Sequence, residues 1–211
     1  MMTEQGGPTI LFGGTFDPPH RGHVELPLRA ADLIGSNRVI YMPANVNPQK
    51  SSSPPIDPVH RRGMLEVALE ELGDPRAMIS TIELDRTEPS YSILTVRQLL
   101  EEMPPEQGPL RLLVGTDQAL NFTTWKCWEE IERLAEPLVL PRAPWNREAL
   151  HEAFERMQPG RGDLWMTRVL DIPEIMACST DARNATARQE SIEQIVPPSV
   201  EAYIQRHGLY A

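Results

Sequence analysis

Apolar positions along the chain follow two rhythms, and the switches between them mark out the elements. Short apolar runs occur at residues 8–12 (Pro-Thr-Ile-Leu-Phe), 38–42 (Arg-Val-Ile-Tyr-Met), 78–84, 109–114 (Pro-Leu-Arg-Leu-Leu-Val) and 137–140. Runs of this length, bounded by Gly, Pro, Asn or Ser, predict buried strands. Residues 164–170 (Leu-Trp-Met-Thr-Arg-Val-Leu) read the same way. Between them the spacing turns helical: Met64, Leu65, Ala68, Leu69 and Leu72 line one face of residues 58–72, which close at Gly73. Helices are also expected over 20–35, with a kink at Pro27, over 91–103 behind a Ser90 cap, and over 125–134, 147–157 and 197–207. Residues 45–58 are too rich in Pro and Ser to be core. Strands alternating with helices predict an α/β fold built on a doubly wound parallel sheet. One domain spanning 1–211 is expected, with a helical C-terminal part from about 178 to 211 packed on it.

Bulk properties narrow the function classes. A chain of 211 residues, 40% hydrophobic, can bury a substantial core. No apolar run is long enough for a membrane span, and no charged-then-apolar signal segment opens the sequence. Cys127 and Cys178 form neither a disulfide framework nor a Cys-x-x-Cys pair, which suits a reducing, cytoplasmic setting without structural zinc. The net charge of −10, from 20 basic and 30 acidic residues, argues against a nucleic-acid surface. An anionic ligand would need a local cluster of Lys, Arg, His and backbone donors, with a divalent cation screening any polyphosphate.

Such a cluster is written into residues 13–23, Gly-Gly-Thr-Phe-Asp-Pro-Pro-His-Arg-Gly-His, directly after the first apolar run. In a Rossmann-like sheet, ligands bind beyond the carboxyl ends of the strands. Gly13 and Gly14 let the backbone approach a phosphate, and the helix that follows aims its first N–H groups at the same spot. His20 and His23, three residues apart, lie on one face of its first turn and can bind phosphate oxygens.

Four other stretches carry candidate chemistry. Lys50, in Asn47-Pro48-Gln49-Lys50, could reach a triphosphate from a loop; alone it is an ordinary solvated lysine. Ser90-Tyr91-Ser92 enters a helix, and the N–H groups of Tyr91 and Ser92 form an anion site there; alone, Ser90 is a cap. Val114-Gly115-Thr116-Asp117 sets a carboxylate after a strand end, suited to a ribose hydroxyl, and Trp125 suits an aromatic ring or a place in the core. Ser179 and Thr180 start a helix with Arg183 one turn on, a second polyphosphate cradle or a plain N-cap beside a surface arginine.

The fused glycine and His-x-Gly-His segment resembles the signature of the nucleotidylyltransferase superfamily. Taken with Pro89-Ser90-Tyr91-Ser92, Gly115-Thr116-Asp117 followed by Phe122 and Trp125, Ser179-Thr180-Asp181-Ala182-Arg183 and Gly208-Leu209-Tyr210, the chain is similar to bacterial nicotinate-nucleotide adenylyltransferases from about residue 8 onward. Only 144–176 match poorly. The resemblance implies catalytic roles for Thr15, His20 and His23 at the transferring α-phosphate. It implies ATP contacts at Gly13, Gly14, Phe16, Lys50, Ser179, Thr180 and Arg183. Nicotinate mononucleotide would meet Ser90, Tyr91, Ser92, Gly115, Asp117, Trp125 and Arg142. Mg²⁺ would arrive on the ATP phosphates, and no protein ligand for it is singled out. Departures exist: Gln49 replaces the histidine usual before Lys50, and Cys178 the first serine of the late motif. Other readings are a related transferase using nicotinamide mononucleotide or another phosphorylated acceptor, and a non-catalytic nucleotide sensor of the same fold. Assembly into a homo-oligomer stays open.

Overall fold

The computed structural model describes residues 6–45, 54–87, 90–104, 107–142 and 144–211. Five strands, β1 (Thr9–Gly14), β2 (Arg38–Pro43), β3 (Ala77–Ile79), β4 (Leu110–Gly115) and β5 (Glu136–Leu140), make one sheet in the order β3-β2-β1-β4-β5. β1 runs parallel to β4 with Leu11 opposite Leu112, and β4 parallel to β5 with Leu113 opposite Leu138. Ile10, Leu11, Val39, Tyr41, Leu113 and Val139 are all but sealed from solvent, which is why the strands read as unbroken apolar runs. The fold is α/β, with helices flanking a parallel sheet.

Helices α1 (Arg21–Ile34) and α2 (Pro58–Leu72) follow the first two strands. Pro27 sits inside α1 without ending it. α2 is defined at both ends: Asp57 Oδ1 accepts a bond from Val59 N at 2.8 Å, Pro58 fills the first turn, and Gly73 closes it at φ 67°. Next come α3 (Ser92–Glu102), α4 (Thr116–Leu120), a single 3₁₀ turn (Phe122–Thr124), α5 (Trp128–Leu134), α6 (Arg147–Met157), α7 (Gly162–Arg168), α8 (Ser179–Ala187) and α9 (Pro198–His207). Among the described residues no helix is long and apolar enough to cross a membrane.

Three segments depart from the sequence expectation. Residues 164–170 are mostly helix, not strand: Gly162, Trp165 and Met166 bury one helical face, and Val139↔Val169 is an isolated bridge. The strand expected over 78–84 stops at Ile79, where a turn closes as Asp85 N donates to Thr81 O and the Thr81 hydroxyl to Asp85 Oδ2. The helix expected from Trp125 begins only at Trp128, because Cys127 takes a left-handed φ of 54°.

Contacts group the chain into two compact units, one of residues up to 12, 29–39 and 91–174, the other of 13–28, 40–90 and 175–211. In the first, Trp165 stacks on Phe154 at 5.2 Å, and Glu132 holds both Arg161 and Arg168. Burial pushes the Glu132 carboxyl up, but the two guanidiniums outweigh it and leave it below the usual carboxylate range. In the second, α9 packs on α2, where Gly63 admits the Tyr203 ring: a Cβ there would lie 2.5 Å from the Tyr203 hydroxyl.

Candidate active site

The carboxyl end of β1 runs into the glycine turn of the second unit. A Cβ on Gly14 would stand 2.9 Å from the Phe16 ring, so this turn needs glycine. Phe16 itself is 1% exposed, at φ 53°, with its ring edge-on to His23 at 5.3 Å between centroids. The sequence put Phe16 among the ATP contacts; its side chain is buried against the His23 ring.

His20 stands at the N-cap of α1, its carbonyl accepting from Val24 N at 3.1 Å. His23 N donates to His20 Nδ1 at 3.2 Å, and His20 N donates to His23 Nδ1 at 3.4 Å. This is a capping box with two imidazoles in the places usually taken by a hydroxyl and a carboxylate. The rings stack at 3.5 Å between centroids. Because each Nδ1 accepts, each neutral ring carries its proton on Nε2; this tautomer follows from the hydrogen-bond network.

The turn before the histidines is held from behind. Arg61, wholly buried, donates through Nη1 to Thr15 O (2.8 Å) and Ala44 O (2.7 Å) and through Nε to Ile56 O (3.1 Å). Burial works against its charge, while Asp17, Tyr210 and Asp57 favour it. Ser179 Oγ donates to Pro18 O at 2.8 Å; Arg183 Nη1 donates to Asp17 O at 2.6 Å and Nη2 to Thr180 Oγ1 at 3.3 Å. Thus Ser179 and Arg183, named in the sequence for a polyphosphate cradle with Thr180, bond to carbonyls of the His20 turn, and the Ser179 hydroxyl serves that turn instead of capping α8. Cys178 takes that cap position with no side-chain bond. Lys50 lies outside the described residues. Arg61 was not singled out as a site residue in the sequence, yet a signal was present: with Met64, Leu65 and Ala68 it lies on the buried stripe of α2.

The predicted acceptor residues, apart from Ser90, lie in the first unit. Gly115, Thr116 and Asp117 pass from β4 into α4, where Thr116 Oγ1 donates to Leu140 O (3.1 Å) and accepts from Arg142 N (3.2 Å). That bond brings Arg142 beside the β4 end, with its guanidinium 3.8 Å from Asp117 and both side chains well exposed. Tyr91 is the N-cap of α3 without a side-chain cap bond, and no acidic residue occupies the first turn. Lys126, absent from the sequence prediction, holds its ammonium 4.5 Å from the centre of the Tyr91 ring. Trp125 follows the 3₁₀ turn, half-buried, 5.4 Å from the Phe122 ring; its buried Nε1 has no partner among the described residues. Ser90 does not cap α3. Its Oγ accepts from Asn45 N at 3.2 Å, within the second unit.

Among the described residues, no three His, Cys, Asp or Glu side chains gather as a metal site.

The family model described as cytidylyltransferase-like matches residues 11–182. The nicotinate-nucleotide adenylyltransferase of Salmonella typhimurium is 34% identical over 213 aligned residues, covering 95% of this chain and 97% of that protein. Among solved structures, Plasmodium falciparum nicotinic acid mononucleotide adenylyltransferase complexed with NaAD aligns with a TM-score of 0.72 over 97% of each chain. The same enzyme complexed with APC gives 0.71. At 16% identity these two show the fold alone.

Proposed function

The chain belongs to the nicotinate-nucleotide adenylyltransferase family within the cytidylyltransferase-like proteins, and we infer that it joins ATP to nicotinate mononucleotide, giving deamido-NAD and pyrophosphate in NAD biosynthesis. The observation that carries this reading is the imidazole capping box after β1. It fixes two imidazole rings beside a glycine turn and a helix N-terminus, a donor set suited to a phosphate.

The attacking group is the 5′-phosphate of the mononucleotide, already an anion at pH 7, so the reaction needs no general base. Catalysis is then positioning and charge stabilisation at the α-phosphate. His20, His23 and the Thr15 segment take the α-phosphate and the departing pyrophosphate. Arg61, Ser179 and Arg183 keep the turn in shape through its carbonyls. Mg²⁺ enters as part of the substrate, bound to the ATP phosphates, where it screens polyphosphate charge on an acidic protein.

On the acceptor side, the α3 N-terminus at Tyr91 and Ser92 receives the nicotinate carboxylate. Trp125 stacks on the pyridine ring, Asp117 takes a ribose hydroxyl, and Arg142 meets the mononucleotide phosphate. An anion at a helix N-terminus is favoured by about 0.3–1 kcal/mol, so the acid is preferred over the amide without complete exclusion.

Purified protein with ATP and Mg²⁺ will release pyrophosphate with nicotinate mononucleotide and more slowly with the nicotinamide form. Preference for the amide would overturn the substrate assignment. Release with neither, nor with another phosphorylated acceptor, would make the protein a nucleotide sensor.

A further inference from the structure

Residue 210 reaches back across the chain to the phosphate turn. The Tyr210 hydroxyl donates to Asp17 Oδ1 at 2.6 Å. Tyr210 sits at φ 63°, a left-handed conformation that a residue with a side chain adopts only when its surroundings hold it there. Burial first, then the bond to Asp17 and its charge, push the phenol above its ordinary range.

Asp17 is where this matters. It lies between Thr15 and His20, in a turn whose proposed task is to receive polyanions, and its carboxylate would repel them if it swung toward the phosphates. The same residue is held at its main chain, where the Arg183 guanidinium donates to Asp17 O. The Arg61 charge acts on both Asp17 and Tyr210.

We propose that Tyr210 is a positioning residue for the adenylyl-transfer site: by fixing the Asp17 carboxylate, it holds residues 15–20 in the shape that presents the His20 and His23 rings to ATP. The proposal rests on the ATP reading of this turn. It adds a role for a residue whose hydroxyl acts through Asp17.

The test uses Tyr210→Phe, which removes one hydroxyl and keeps the ring, with Asp17→Ala and the double variant. In the ligand-free protein, Tyr210→Phe will speed hydrogen exchange at the His20 and His23 amides, both bonded to opposing ring nitrogens, and leave β4 amides unchanged. In turnover, the KM for ATP will rise about tenfold, the low end for losing a hydrogen bond to a charged group. The KM for nicotinate mononucleotide will stay within about twofold, on the same ground that no acceptor group is removed. In the Asp17→Ala background, Tyr210→Phe will add nothing.

Unchanged exchange at His20 and His23 overturns the proposal whatever the protein catalyses. So do equal rises in both KM values, or additive effects in the double variant. A wild-type protein that releases no pyrophosphate sinks the assigned reaction instead, and the exchange measurement still decides the role of Tyr210.

Discussion

The adenylyl side and the acceptor side are built in opposite ways. In the second unit, the charged and polar side chains around residues 13–23 are mostly engaged, and chiefly with backbone: His20 and His23 with each other's amides, Arg61 with three carbonyls through Nε and Nη1 while its buried Nη2 has no partner among the described residues, Ser179 and Arg183 with Pro18 and Asp17. In the first unit, Arg142 and Asp117 stand 3.8 Å apart and exposed, Lys126 rests on an aromatic face, and Trp125 Nε1 is unpartnered among the described residues. The first arrangement stabilises charge without reorganising when it develops. The second keeps its groups available for a ligand to arrange. Substitutions should therefore split: rate on one side, acceptor affinity and choice on the other.

The largest effect should come from the capping box. His20→Ala removes an Nε2–H donor and is expected to lower kcat by about 10²–10³-fold, the range for losing one preorganised donor to a developing oxyanion. It also removes the helix cap, at about 1 kcal/mol of stability. His20→Asn separates the two roles: an amide oxygen can accept the His23 N–H and restore the melting temperature, while kcat stays low. Recovery of kcat along with stability would make His20 a structural cap, and the contrast between the two sides would lose its catalytic half.

Arg142→Ala should show the other pattern. The proposed Arg142–phosphate contact is a hydrogen bond to a charged group, so its loss should raise the KM for the mononucleotide about tenfold and leave that for ATP unchanged. The melting temperature should hardly move, since an exposed pair at 3.8 Å contributes little. A fall in kcat with unchanged KM would place Arg142 with the rate-determining groups and blur the division.

What the sequence disclosed follows the same line. Strands β1, β2, β4 and β5 and helix α2 were legible because burial on both faces, or a helical stripe with Asp57 and Gly73 at its ends, is written locally. The His20 turn was legible because its glycines and histidines are close in sequence. Residues acting across distance were not. Arg61 shows only as a cation on an apolar stripe, and nothing in Leu209-Tyr210 reveals that its hydroxyl meets Asp17 across 193 positions. Ser90 misled for the same reason: a serine before a helix reads as a cap, and only the fold supplies Asn45 as a competing partner. At 164–170 the β-like composition outweighed a helical stripe, which Gly162, Trp165 and Met166 carry plainly once the period is counted.

The smallest effect sharpens the acceptor side most. Lys126 places its charge over Tyr91, the cap residue of the helix proposed to take the nicotinate carboxylate. An ammonium near that carboxylate favours the acid, and an exposed ion pair of this kind contributes about 0.2–1 kcal/mol. Lys126→Ala should therefore lower the acid-to-amide ratio of kcat/KM by up to about fivefold, on that same scale. Because the side chain is exposed, added salt should erode the wild-type ratio toward that of the variant, while leaving the variant nearly flat. If instead the ratio ignores both the substitution and salt, the carboxylate is recognised by backbone amides alone, and the acceptor side is more prearranged than its open side chains suggest.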